Sequence, residues 1–313
     1  MMALPPWKDP TDLPPGAVIG ERYRLDQPLG SGASSRIYAA YDLVDERVVA
    51  LKAVTLHDAD RLARERFERE RRIAVSLRHP NLVEVLGGGW IEATGTPYLV
   101  MELLDGESLG ERLLRGPILP THLTAYVDSI ADALTYVHAA GVVHRDVKPG
   151  NILLGPPGVG PRSVKLIDFG VSVHTSDPRL TASQWVVGTP SYLAPERLIP
   201  GGAIDHRVDL YSLGVVMYEA LTGQLPFTGE TPEALTGAIA RSRTEPPSTH
   251  APVSRQVDGV VMKAIARGPD ERFQTARDLA TAFRVAVNAP APSSVDVRAT
   301  RDDEITAKHK LPR

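Results

Sequence analysis

The 313-residue sequence contains no cysteine. Disulfides, thiolate metal sites and thiol redox chemistry are thereby excluded. The absence fits a reducing compartment, so a cytoplasmic location is expected. A basic excess is also missing: 35 Lys and Arg stand against 38 Asp and Glu, for a formal net charge of −3. No basic stripe dominates, and nucleic acid is not expected as a partner. No apolar run reaches the about 18 residues of a membrane span. The longest helix-like apolar stretch, Leu210 to Leu221, carries Ser212 and Glu219 and reads as a buried core helix. The N-terminus is Pro-rich without an apolar core, so it does not read as a signal peptide. The remainder, 42% hydrophobic and 23% charged, describes a globular chain of one large or two modest domains.

One stretch is dense in chemistry: Val143-His144-Arg145-Asp146-Val147-Lys148-Pro149-Gly150-Asn151. It sets an acid, Asp146, a base, Lys148, and an amide, Asn151, within one loop. A second acid follows in Ile167-Asp168-Phe169-Gly170. Phosphoryl transfer needs a carboxylate to orient the attacking hydroxyl, a cation for the moving phosphate, and oxygen ligands for a bridging metal.

The rest of the chain is organised as follows. Residues 1–16 hold five prolines and are predicted to be a disordered lead-in. From Tyr23 to Val54 the pattern is strand, turn, strand, turn, strand. Gly30 and Gly32 bare the backbone to phosphate oxygens. The third position of this G-x-G-x-x-G spacing is Ser35, and taken alone a ligand-free Gly-Ser hairpin is the better reading. A strand rather than a helix follows it, which excludes the dinucleotide fingerprint. Lys52 stands alone in the apolar run Val48 to Val54. It is either an edge-strand lysine facing water or a phosphate-binding lysine held by a carboxylate.

A charged helix is predicted over 60–78. Glu70 shares its inward stripe with Phe67, Ala74 and Leu77 and is the candidate partner for Lys52. Strands at 82–86 and 98–102, joined through Gly87-Gly88-Gly89, bring the count to five before a lobe boundary at 103. An amphipathic helix over 121–140 is capped by Gly141. A short hairpin pairs 152–154 with 164–167. A long polar segment, 171–193, precedes helices at about 207–222, 231–241, 254–267 and 275–287, and a Pro-rich, charged tail closes the chain.

In this order the motifs resemble the protein kinase superfamily, and within it the bacterial Hanks-type (eukaryotic-like) serine/threonine kinases, over about residues 20–287. The resemblance implies an α+β, bilobal fold. A small lobe of five antiparallel strands and one main helix (about 17–102) would join a larger, mainly helical lobe (about 103–287), with disordered ends at 1–16 and 288–313. It implies that Leu29, Gly30, Ser31, Gly32, Ala33, Ser34 and Ser35 cover ATP. Ile37, Ala50 and Leu153 would sandwich the adenine, Met101 would be the gatekeeper, and the backbones of Glu102 and Leu104 would bind the base. Lys52 would pair with Glu70. Asp146 would accept the substrate hydroxyl proton, Lys148 would touch the γ-phosphate, and Asn151 and Asp168 would hold Mg²⁺ or Mn²⁺.

Thr189 falls in the substrate-facing loop, and Lys148 two residues after Asp146 favours Ser/Thr over Tyr. Glu196 would pair with Arg272, and Asp209 would brace the catalytic loop. His144 reads as a packing residue rather than a proton shuttle. Ser35 in place of the third glycine implies a somewhat stiffer phosphate cover. Thr181 and Ser183 are candidate autophosphorylation sites, reached in a transient homodimer and answered by Arg145. Val173, where relatives often carry a base, argues for a weak phosphate pocket. The implied activity is transfer of the ATP γ-phosphoryl group to protein Ser/Thr hydroxyls in bacterial signalling. Two rivals stay open: a non-catalytic scaffold, disfavoured by the complete residue set, and a small-molecule kinase, disfavoured by the long 168–196 segment.

Overall fold

The computed structural model of the chain describes residues 11–32, 35–55, 61–156, 163–168, 190–199, 202, 204–241 and 243–289. A curled antiparallel sheet builds the first lobe. Its strands are β1 (Val18–Ile19), β2 (Tyr23–Gly32), β3 (Ser35–Asp42), β4 (Arg47–Val54), β5 (Val85–Ile91) and β6 (Thr96–Glu102), in the order β1-β2-β3-β4-β6-β5. The five expected strands are thus joined by a two-residue sixth. Side chains alternate across the pleat. Leu25, Tyr38, Val49, Leu51, Ala53 and Val100 close one cluster, while Ala50, Leu99 and Met101 turn the other way, onto Phe67 and Ala74 of helix α1 (Arg61–Ser76).

Two sequence expectations are corrected in this lobe. Gly87-Gly88-Gly89 does not link strands but lies inside β5, and the turn comes at residues 92–95, where Gly95 has φ +66°. A Cβ on Gly88 would sit 2.4 Å from the Tyr98 carbonyl oxygen and 3.2 Å from Arg71 Cδ. Glycine here lets β6 and α1 approach the strand closely. The lead-in, expected to be disordered up to residue 16, is docked from residue 11. Thr11 and Leu13 are buried, and Leu13 joins the Tyr38 cluster. Proline forbids regular structure there, but it does not forbid packing.

The second lobe contains α2 (Leu109–Leu113), which the sequence pattern did not announce, and α3 (Pro120–Ala139), α4 (Arg207–Thr222), α5 (Pro232–Arg241), α6 (Arg255–Ala264) and α7 (Ala276–Asn288), close to their predicted positions. The stretch read as a core helix is α4, buried along nearly its whole length. Its Ser212 hydroxyl is satisfied by the carbonyls of Val208 and Tyr192. Just past the lobe boundary comes strand β7 (Glu107–Ser108), which pairs with β8 (Ile152–Leu154) and through it with β9 (Val164–Leu166). Ser108 and Glu111 form a reciprocal cap on α2.

The lobes are laced at this hairpin. Val83 N–H donates to the Leu166 carbonyl at 3.0 Å, Leu166 N–H donates to the Asn81 carbonyl at 2.9 Å, and Lys165 Nζ meets Glu102 Oε1 at 2.6 Å. Among the described residues, no helix is long and apolar enough to cross a membrane.

Candidate active site

Asp209, in the first turn of α4, is fully buried. A buried carboxylate requires donors, and the loop at 144–145 supplies them. Its Oδ2 accepts His144 N–H and His138 Nε2–H, both at 2.8 Å, and its Oδ1 accepts Arg145 N–H at 2.7 Å. This holds Arg145 at φ +68°, a left-handed conformation that a non-glycine residue keeps only when its surroundings fix it. His144 serves the same purpose from within. Its Nδ1 accepts Asp146 N–H at 3.2 Å and its Nε2 donates to the Ile167 carbonyl at 2.9 Å. Both ring nitrogens face protein groups, so His144 is structural, as its apolar setting suggested.

The loop so braced presents Asp146. Its Oδ2 accepts Lys148 Nζ at 2.7 Å and Asn151 Nδ2 at 2.8 Å, and the same Asn151 nitrogen donates to the Asp146 carbonyl. Ile167 N–H donates to the Asn151 carbonyl at 2.9 Å. Asn151 and Asp168, far apart in sequence, are thereby brought to one spot. Asp168 has φ +63°, a second left-handed residue in the site.

The Lys52 partner differs from expectation. Lys52 Nζ pairs with Asp168 Oδ1 at 2.7 Å, with 11% and 20% of the two side chains exposed. The reasoning that a strand lysine needs a carboxylate holds, but the carboxylate is Asp168, not Glu70. Glu70 Oε2 is buried without a hydrogen-bond partner. Burial pushes its pKa up to about 7, against the opposing pull of Arg145, Arg66 and Arg69.

The sign of the pH effect follows. The folded chain holds a proton on Glu70 that the unfolded chain has already released, so stability falls as pH rises from about 4.5 to about 7. In Glu70→Gln this component of the pH dependence should vanish. Denaturant midpoints at about pH 5 and about pH 8 test it: an unchanged difference between the two in the variant would overturn the assignment.

A cleft of about 720 Å³ is lined by residues of both lobes. Leu29, Leu104 and Leu153 line it as expected. Ala50 and Met101 pair in register on the adjoining inner face, with Ile37 packed against them. Gly30, Ser31 and Gly32 are exposed, and Ser35 pairs with Gly32 across the return strand. The Glu102 side chain is engaged by Lys165 and by Glu84 N–H, and its own N–H donates to the Glu84 carbonyl at 3.0 Å.

Sequence reading missed the polar rim of Asp26, Gln27 and Asp105, and the apolar Ala39 and Val48. Ala39 was accessible in principle, since it pairs with Ala50 across β3 and β4. Arg197 was missed too. It donates to the Arg145 carbonyl, and its only sequence signal is adjacency to Glu196.

Further out, Glu196 and Arg272 form the expected pair, bidentate at 2.8 Å for both contacts. Arg272 also donates to the carbonyls of Ala266, Arg207 and Arg267 and lies 4.8 Å over the Tyr211 ring. Ala33, Ser34, Phe169, Gly170, Val173, Thr181, Ser183 and Thr189 lie outside the described residues. Among those described, no cluster of three or more His, Cys, Asp or Glu could hold a metal by itself. The adjacent Asp168 and Asn151 nevertheless fit a hard cation that takes one or two protein oxygens and completes its shell with phosphates and water.

A family model described as the protein kinase domain matches residues 23–283. The chain belongs to the protein kinase family. This kinase is 39% identical over 272 residues to the serine/threonine-protein kinases PknB of Mycolicibacterium smegmatis and of Mycobacterium tuberculosis, covering 83% of the chain and 42% of each relative. It is 38% identical over 268 residues to the probable serine/threonine-protein kinase SCO3848 of Streptomyces coelicolor, covering 83% of the chain and 39% of that relative. The chain spans about two fifths of the length of these curated relatives. The crystal structure of the Mycobacterium tuberculosis PknI kinase domain superposes with a TM-score of 0.68 at 29% identity, covering 87% of this kinase and 98% of that domain. The bacterial Hanks-type resemblance and the bilobal fold both hold.

Proposed function

We propose that this kinase transfers the ATP γ-phosphoryl group to Ser or Thr hydroxyls of protein substrates in bacterial signalling. The observation that carries this reading is the hydrogen-bonded loop of Asp146, Lys148 and Asn151, tied through the Asn151 carbonyl to Ile167 N–H, next to Asp168. Asp146 is held by Lys148 and Asn151, and Asn151 lies beside the Lys52–Asp168 pair. The adenine would lie between Ile37, Ala39 and Ala50 above and Leu153 below, against the backbones of Glu102 and Leu104. The Gly30–Ser35 turn would cover the phosphates. Asp146 would orient the acceptor hydroxyl and take its proton as the new O–P bond forms, the β,γ-bridging bond breaks and ADP leaves. Lys148 and Lys52 would neutralise the moving charge.

Asn151 and Asp168 would hold Mg²⁺ (or Mn²⁺), which when bound supplies charge neutralisation between the β- and γ-phosphates. For this Lys52 would release Asp168, and Glu70, whose buried Oε2 has no hydrogen-bond partner, would receive it after a shift of α1. Thr189 would face the substrate, and Thr181 and Ser183 would be modified in trans within a transient homodimer. The catalytic domain would run over 17–287, preceded by the docked residues 11–16, in a cytoplasmic setting.

The test is transfer of labelled phosphate from ATP to a generic protein acceptor, with the label recovered on Ser or Thr. Lys52→Met is expected to lower autophosphorylation by about 100-fold or more with the fold intact. Transfer at the unmodified rate in that variant would refute the assignment. No transfer by the wild-type chain under any condition would favour a scaffold.

A further inference from the structure

We infer that the segment ahead of the kinase domain is an ATP-affinity element: residues 11–13 fasten the return strand of the Gly-rich turn, with Tyr38 as the positioning residue. The inference rests on the kinase reading above and goes beyond it. The Tyr38 hydroxyl is buried, donates to the Thr11 carbonyl at 2.6 Å and accepts Leu13 N–H at 2.8 Å. Two residues earlier on the same strand, Arg36 pairs with Asp12. Leu13 itself is 5% exposed and completes the cluster around Tyr38.

What this segment grips matters. Tyr38 lies opposite Pro28, Ile37 opposite Gly30, and Arg36 opposite Ser31, so β3 from 36 to 38 is the partner strand of the Gly-rich turn. Gly30, Ser31 and Gly32 are exposed, and glycine gives this backbone wide freedom. Backbone N–H groups can cradle phosphates with little loss only if they are held in place beforehand. Tyr38 faces the outer cluster and Ile37 the inner one, so Tyr38 does not line the cleft. Any effect of the segment on nucleotide must therefore pass through the strand.

Of the two attachments, Tyr38 dominates. Removing its hydroxyl takes the partner of the buried Leu13 N–H and the donor to the Thr11 carbonyl. The Asp12–Arg36 pair is substantially exposed, with side chains 56% and 32% accessible, and is screened by solvent.

Full-length variants test this. Tyr38→Phe is expected to raise KM for ATP about fivefold while kcat stays within about twofold, and Asp12→Asn to raise KM less than about twofold. Amides in peptides spanning 28–38 should exchange faster in Tyr38→Phe, without a matching change over α1 or β6. Leu13→Ala, which loosens the segment without touching β3, should reproduce both effects if Tyr38→Phe does not fold. Tyr98→Phe, in the same cluster but on β6, is the control for a purely structural contribution.

Unchanged KM and exchange in the folded Tyr38→Phe and Leu13→Ala proteins, or an equal KM rise in Tyr98→Phe, would overturn the inference and leave the kinase reading standing. A wild-type chain without phosphate transfer would refute that reading instead, and the exchange comparison would still decide whether residues 11–13 hold the turn.

Discussion

Asp146→Asn is expected to lower kcat by about 1,000-fold while leaving nucleotide affinity and stability close to those of the wild-type chain. The amide has the shape of the carboxylate and can still accept a hydrogen bond from Lys148 or Asn151, so the loop keeps its geometry. It cannot take the proton of an acceptor hydroxyl, and it no longer balances the Lys148 charge. Asp146 and Lys148 are each about one third exposed, with 30% and 33% of their side chains accessible, so breaking their ion pair costs little stability. The braces that hold the loop, at Asp209 and His144, are untouched. Labelled-phosphate transfer at saturating ATP, together with a denaturation curve, checks both halves. Near-normal kcat would remove Asp146 from its assigned role, and an unfolded variant would show that its carboxylate is structural.

The largest effect on stability is expected from Arg272→Met, at about 3–5 kcal/mol. Arg272 is 2% exposed and joins parts of the chain distant in sequence: Glu196, the carbonyls of Ala266 and Arg267, the Arg207 carbonyl at the start of α4, and the Tyr211 ring. Methionine fills part of the volume but leaves the Glu196 carboxylate, only 11% exposed, without its cation, and the carbonyls without their donor. The urea midpoint should fall accordingly, and a loss below about 1 kcal/mol would show that water or a neighbouring cation replaces the guanidinium. Transfer activity should fall with it, because Arg197, beside Glu196, reaches the Arg145 carbonyl in the catalytic loop.

Much of this architecture was readable because its signals are local. Apolar periodicity marked α3, and an unbroken apolar stretch marked α4, to within a residue or two, and the 144–151 loop carries its acid, base and amide in one stretch. The misreadings share one physical origin: each depended on a contact with a part of the chain far away in sequence. Glycine in a run reads as a turn, and only the Tyr98 carbonyl, 2.4 Å from where a Gly88 Cβ would sit, shows why a strand uses it. Proline-rich residues 11–16 read as disordered, because nothing local reveals a tyrosine hydroxyl 25 residues downstream of Leu13. Lys52 announced the need for a carboxylate but not which one. That choice is set by the placement of α1 and by the backbone turn at Asp168, neither of which is encoded within a few residues of Lys52.

That same pair has a consequence for how ligands enter. Lys52 and Asp168 act as mutual counter-ions. A nucleotide arriving alone would draw off the ammonium and leave a carboxylate facing anionic phosphate. A divalent cation arriving alone would draw off the carboxylate and leave a nearly enclosed ammonium dependent on a shift of Glu70. Arriving together, each supplies the counter-charge that the other displaces. On the proposed reading, nucleotide and metal would be thermodynamically linked, each raising the affinity for the other by the same factor. Through this one ion pair, the cleft would respond to the coincidence of the two rather than to either concentration alone.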